Sequence, residues 1–211
     1  MKRIALLPVV FVAALSFACN ADNRTTNDNR TIENDSTVGT TGDSVSAGDR
    51  DFVEDVAVAN MAEVELGKMA MERGVSAEVK KFADMMVKDH SKAGDELKQI
   101  AMQHSIPIPA GLDEKHQDLK TKLSNAKGAD FDREYMNAMV DGHQDVVDRL
   151  QTRASEDRIG DDKGSVKPER SDNPTEAALN QWSATALPTV RHHLDEAKRI
   201  NDGLGRTLTK R

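Results

Sequence analysis

Four stretches of the chain repeat apolar residues at alternating spacings of three and four, the seam of a packed helix, and each seam is broken once by an ionisable side chain. The first carries Phe52, Val56, Ala59, Glu63, Leu66 and Ala70. The second carries Val79, Phe82, Met86, His90, Ala93, Leu97 and Ile100, and the third Phe131, Tyr135, Met139, His143, Val146 and Leu150. In the fourth, Ala178, Trp182, Ala186, Val190 or its neighbour His193, Ala197, Ile200 and Leu204 fall on one face. Hydrophobic residues make up 37% of the chain and aromatics 3%, so the core is built from Ala, Val, Leu and Met, which favours helices over a β-sandwich. The spacing therefore predicts an all-α four-helix bundle, with Glu63, His90, His143 and His193 facing its interior.

Boundary signals place the runs. The first is expected from about Asp51 to Arg73, where Gly74 ends it and Ser76 caps the second. Pro107 and Pro109 stop the second run. Residues 105 to 128 form a long connection with a short helical piece from Asp113 to about Lys127. The third run extends from about Phe131 to Ala154, and Glu156 to Asn173 reads as an exposed loop. Asn173 followed by Pro174 opens the fourth, which Gly205 ends, leaving 206–211 as a tail. Pro188 lies inside that last run and is expected to bend it. His90 stands fourteen residues after Ser76 and His143 fourteen after Ala129. If the 105–128 segment crosses the length of the bundle, the two histidines start from the same end and reach one height.

The first fifty residues read as address and tether. Lys2 and Arg3 precede an apolar run from Ile4 to Phe17, an export signal over residues 1–18 that is too short for a permanent span. Leu15-Ser16-Phe17-Ala18-Cys19 resembles a bacterial lipobox, with Ser16 where leucine is usual. Cys19 is the one cysteine, so there is no intrachain disulfide and no cysteine-rich metal site, and lipidation would use it. The expected location is the periplasmic face of an outer membrane, or the periplasm if cleavage simply follows Ala18. Residues 19–50 are rich in Asn, Asp, Thr, Ser and Gly and read as a disordered tether, with a reach of roughly 30 Å. The bundle is then expected over 51–205.

Asn60 to Gly67, Phe82 to His90, Phe131 to Met136 with His143, and Leu187 to Leu194 together resemble the signature segments of the bacterial "domain of unknown function 4142" family. The resemblance implies a ferritin-like four-helix bundle in exported proteins and brings no reaction. Its characteristic polar positions fall on Glu63, Asp89, His90, His143 and His193.

Di-iron bundles of this class use two Glu-x-x-His pairs, but Val87, Val140 and Val190 stand three residues before the three histidines. What remains is one carboxylate and three imidazoles, with Met86 and Met139 each four residues before a histidine. That set suits copper, zinc or iron, with Asp89 orienting a histidine from outside. The rival is a buried hydrogen-bonded network that fixes helix register without an ion, and the methionines read equally as core filling. No paired nucleophile and base, and no phosphate loop, can be found. Acids and bases are mixed along the runs, with a net charge of −7, which excludes a nucleic-acid footprint. Three functions follow: an envelope module binding a protein or cell-wall partner, a metal-binding envelope protein, and a small redox enzyme.

Overall fold

The computed structural model describes residues 45–154 and 166–208. The export signal, Cys19 and the tether as far as residue 44 lie outside the described residues, as does the 155–165 part of the exposed loop. Among the described residues five helices form: α1 (Ala47–Arg73), α2 (Ala77–Gln103), α3 (Glu114–Asn125), α4 (Ala129–Ala154) and α5 (Pro174–Leu208). Residues 166–173 are non-helical, as expected of a loop. Helix α5 continues past Gly205 and contains Pro188, whose side is exposed.

Helix α1 begins at Ala47 rather than Asp51. Ser46 accepts from the Asp49 amide at 3.0 Å while the Asp49 carboxylate accepts from the Ser46 amide at 3.1 Å, a reciprocal capping box. Asp49 is buried and paired with Arg153 at the far end of α4. Burial alone would raise its pKa, but the Ser46 hydroxyl and Arg153 overcome that and hold the carboxyl below its ordinary range.

Contacts at the helix ends fix the topology. Arg149 reaches Asp55 and Arg153 reaches Asp49, so the end of α4 lies beside the start of α1. Val75 and Ser76, at the start of α2, donate their amides to the Asp132 carboxylate at 3.1 and 2.8 Å, so the start of α4 lies beside the start of α2. His104, at the end of α2, meets Thr175 at the start of α5. Helices α2 and α4 therefore run parallel, and the α3 connection crosses the length of the bundle. Arg73 fastens that connection by donating to the carbonyls of Ser124 and Ala126. This is a ferritin-like four-helix bundle with an additional short helix in its crossover.

Ser76 occupies the cap position of α2, yet its side chain makes no capping bond. Asp132, itself buried, takes over that role from another helix, placing a carboxylate at a helix start where the backbone dipole favours one. Gly74 permits the approach: a Cβ there would stand 3.2 Å from Asp132 Oδ1 and 2.7 Å from the Ala70 carbonyl oxygen. Gly67 likewise lets α1 and α2 close together, since a Cβ would lie 2.9 Å from Val87 Cγ2 and 3.1 Å from the Ala83 carbonyl oxygen.

The apolar core is in two pieces. One gathers Phe52, Val56, Leu97, Leu150, Leu179 and Trp182 toward one end. The other gathers Leu66, Phe82, Met86, Phe131, Tyr135 and Met139 toward the opposite end. Each such leucine contributes about 1.5–3 kcal/mol on burial. Along every long helix the polar seam position falls between residues of the first piece and residues of the second.

Candidate metal centre

The layer between the two apolar pieces holds Glu63 from α1, His90 from α2, His143 from α4 and His193 from α5, all buried. The three imidazoles form a triangle. Ring centroids are 5.4 Å apart for His90 and His143, 5.4 Å for His90 and His193, and 5.5 Å for His143 and His193. One ring nitrogen from each lies within 4.8 Å of the other two. An ion with ligands at ~2.0–2.1 Å needs nitrogens roughly 3.4 Å apart in tetrahedral geometry, within reach of small rotamer adjustments.

Each ring is held by its other nitrogen. His143 Nδ1 donates to the Met139 carbonyl at 2.8 Å, His193 Nε2 to Asp89 Oδ2 at 2.9 Å, and His90 Nδ1 to Asn60 Oδ1 at 2.8 Å. A backbone carbonyl and a carboxylate can only accept, which fixes the proton on His143 Nδ1 and His193 Nε2. The nitrogens left over, His90 Nε2, His143 Nε2 and His193 Nδ1, are buried and have no hydrogen-bond partner among the described residues. Two of them are bare lone pairs, and His90 Nε2 could serve at most one of those even in its other tautomer. Three lone pairs supported from behind by oxygen acceptors are the arrangement metal-binding histidines adopt.

The surroundings keep the imidazoles neutral. Burial, then the neighbouring His143 and His193, lowers His90 well below its ordinary value. Burial, then His193, pushes His143 down to about 4. His193 is lowered by burial against the pull of Asp89. A neutral imidazole is the form that binds metal.

Glu63 stands apart from the triangle. Its Oε1 is 3.7 Å from His143 Nδ1, the nitrogen already turned to Met139, and its Oε2 has no partner among the described residues. Burial pushes its pKa up to about 8, and burial with the Glu63 charge pushes the Tyr135 phenol up. Helical counting puts His90 and His143 at one height and all four side chains within a few turns of one another. The structure brings three nitrogens together and sets the carboxylate behind one of them. Met86 and Met139 lie in the apolar piece beside Phe82, and the cavity that reaches the histidines is lined by neither. Met139 serves through its backbone. Asp89, half-exposed, orients His193 as expected of an outer partner.

Asn60 was missed by sequence reading, although it precedes Glu63 by three residues and so shares its face. His116 bonds to Asp113, and His192 is exposed, with its ring centroid 6.4 Å from that of His193.

These shifts set a pH profile for the metal-free protein. Each histidine has a folded pKa below its ordinary 6.5, so the unfolded chain binds more protons below that pH and stability falls on acidification. Glu63 has the opposite sign: its folded pKa of about 8 lies above 4.5, so its contribution is present below 4.5 and is lost as pH rises through 8. Stability should peak near pH 6.5, and Glu63→Gln should flatten the alkaline limb. Thermal melts of both proteins across pH 5 to 9 check this, and an unchanged alkaline limb in the variant would refute it.

Among solved structures, the chain described as "CopM in the Cu(II)-bound form" matches this one with a TM-score of 0.54 and 18% identity, covering 74% of this chain and 96% of that one. At that identity the likeness speaks for the fold. No curated protein matches. Residues 36–162 match the family described as "Domain of unknown function (DUF4142)", and with more than half its length so matched the chain belongs to that family.

Proposed function

We propose that this protein is an envelope metal-binding bundle whose His90, His143 and His193 hold one transition-metal ion. The observation that carries the reading is the set of three buried ring nitrogens left without partners while their opposite nitrogens are fixed on Asn60, Met139 and Asp89. An uncompensated buried acceptor costs about 1–3 kcal/mol, and an ion relieves all three together. Imidazole donors suit copper, zinc and iron. The Cu(II)-bound state named for the structural relative makes copper the first ion to try. Three protein ligands leave an open coordination position. Residues 45–211, which keep the Ser46–Asp49 cap of α1, purified without a histidine tag, should take up close to one equivalent of Cu(II) by mass spectrometry and melt several degrees higher with it. A protein that stays metal-free and is not stabilised by copper, zinc or iron sinks the reading, and the register-setting network then stands.

The N-terminal sequence supports export with anchoring through Cys19, and no helix among the described residues is long and apolar enough to cross a membrane. A single acyl chain at Cys19 accounts for attachment without a span, with a second acyl group needed to make it lasting. Cys19→Ser should move the protein from the membrane fraction to the soluble periplasm. A variant that stays with the membrane refutes the anchor.

A further inference from the structure

The free nitrogens of the triangle are buried, so an ion reaches them only when one of the three rings moves. The rings are not held alike. His143 is bound to the Met139 carbonyl, four residues back in its own helix, and His90 to Asn60, which is 7% exposed. His193 is bound to Asp89 of α2, whose side chain is 43% exposed. Water competes for a half-exposed acceptor far better than for a buried one, so the Asp89 bond opens at the least cost. Helix α5 is also looser at this point. Pro188, five residues before His193, has no N–H for the Ala184 carbonyl, and the helix lacks one rung shortly before the ring.

Asp89 stands on a boundary. It lines the cavity of about 200 Å³ on which the three histidines border, and it also lines a groove of the surface between α2 and α5. His192 lies in that groove with Met85 and Glu196. Successive helical residues turn by about 100°, so His192 faces outward where His193 faces in. His192 and Glu196 are one turn apart, which puts an imidazole and a carboxylate on one face beside Asp89. The opposite side of the bundle offers less. A cleft lined by Gly142, Asp145 and His116 reaches Glu63 there, but Glu63 faces His143 Nδ1, the nitrogen already given to Met139.

We propose that the ion is exchanged on the α2–α5 side, with His193 as the gate and His192 as an outer, transient ligand for a hydrated Cu(II) ion. His192 and Asp89 receive the ion at the surface, and His193 swings off Asp89 to take it. Its Nδ1 is the bare nitrogen, so the ring accepts the ion without giving up a proton. Return of the ring restores its Nε2–H to Asp89 and carries the ion to His90 and His143. An outer ligand of this kind lowers the barrier in both directions and leaves the equilibrium alone. The inference rests on the metal reading and adds the route by which that site fills and empties.

Trp182 lines the same cavity and is the one tryptophan of the chain, so quenching of its emission by Cu(II) follows uptake. Stopped-flow uptake of Cu(II) and its release to a chelator are measured for the parent, His192→Ala and His116→Ala. In metal-free protein, solvent exchange of the imidazole N–H protons is followed by NMR. The expected result is that His192→Ala slows both rates about tenfold, a barrier higher by about 1.4 kcal/mol, with Kd unchanged and His116→Ala like the parent. The His193 N–H should exchange faster than that of His143. Exchange at His143 as fast as at His193 overturns the gate. Slowing in His116→Ala with parent rates in His192→Ala puts the route beside Glu63 and overturns this one. A His192→Ala variant that loses affinity makes His192 a resident ligand and overturns its transient role. Copper bound with parent rates in both variants overturns this inference and leaves the metal reading intact, whereas a protein that takes no copper removes both.

Discussion

Replacing His143 by alanine is expected to lower Cu(II) affinity about 100-fold or more. Loss of an outer hydrogen-bond partner typically costs 10–100-fold, and His143 supplies a ligand nitrogen itself. Asp89→Ala, which leaves the His193 ring in place but removes its Nε2 acceptor, should fall within that smaller range. The two variants give graded losses in competition titrations against a chelator of known affinity. The metal-free Asp89→Ala form should melt within a few degrees of the parent, and His143→Ala somewhat lower, because truncating a fully buried ring packed on Phe82 leaves a cavity. Equal affinity in parent and His143→Ala would remove His143 from the site. A variant that instead melts far lower with no metal dependence at all would show that the layer is structural.

The largest effect on stability is expected at Asp132, remote from the histidines. Asp132→Ala leaves the Val75 and Ser76 amides without their buried acceptor at the start of α2. Hydrogen bonds to a charged group contribute about 1.5–3 kcal/mol each, so a net loss of about 3 kcal/mol is expected. For a protein of this size that lowers Tm by about 6–12 °C. Asp132→Asn keeps one acceptor oxygen and should fall between. Chemical denaturation and thermal melts decide it, and a shift under 2 °C for the alanine variant would show that Ser76 or solvent caps α2 instead.

Much of this layout can be read in the residues. The three-and-four spacing around Met86, His90 and Ala93, and around Met139, His143 and Val146, fixes both the helices and the inward direction of the imidazoles. What escaped reading depends on partners distant along the chain. Asp132 lies in the first turn of its own helix, where an acidic residue is unremarkable, and caps a helix more than fifty residues earlier. The start of α1 was set too late because Ser46-x-x-Asp49 closes its box with aspartate in place of the usual glutamate, inside a run of polar residues. Glu63 was grouped with the histidines because height along a helix follows from counting, whereas the direction of a carboxylate around the axis depends on neighbours such as Asn60 and Tyr135. The Met139 carbonyl could not have been found, since every residue has one.

The division of the apolar core carries a consequence for how the bundle opens and closes. Leu66, Phe82 and Phe131 on one side and Phe52, Leu97 and Trp182 on the other form two separate bodies of packing, and hydrogen-exchange units commonly follow such bodies. Between them the four helices meet at a level that contributes little attraction of its own. An ion held there by α2, α4 and α5 would join the two ends into one cooperative unit. Metal supply would then govern whether thermal fluctuations loosen one half of the molecule or must unfold the whole.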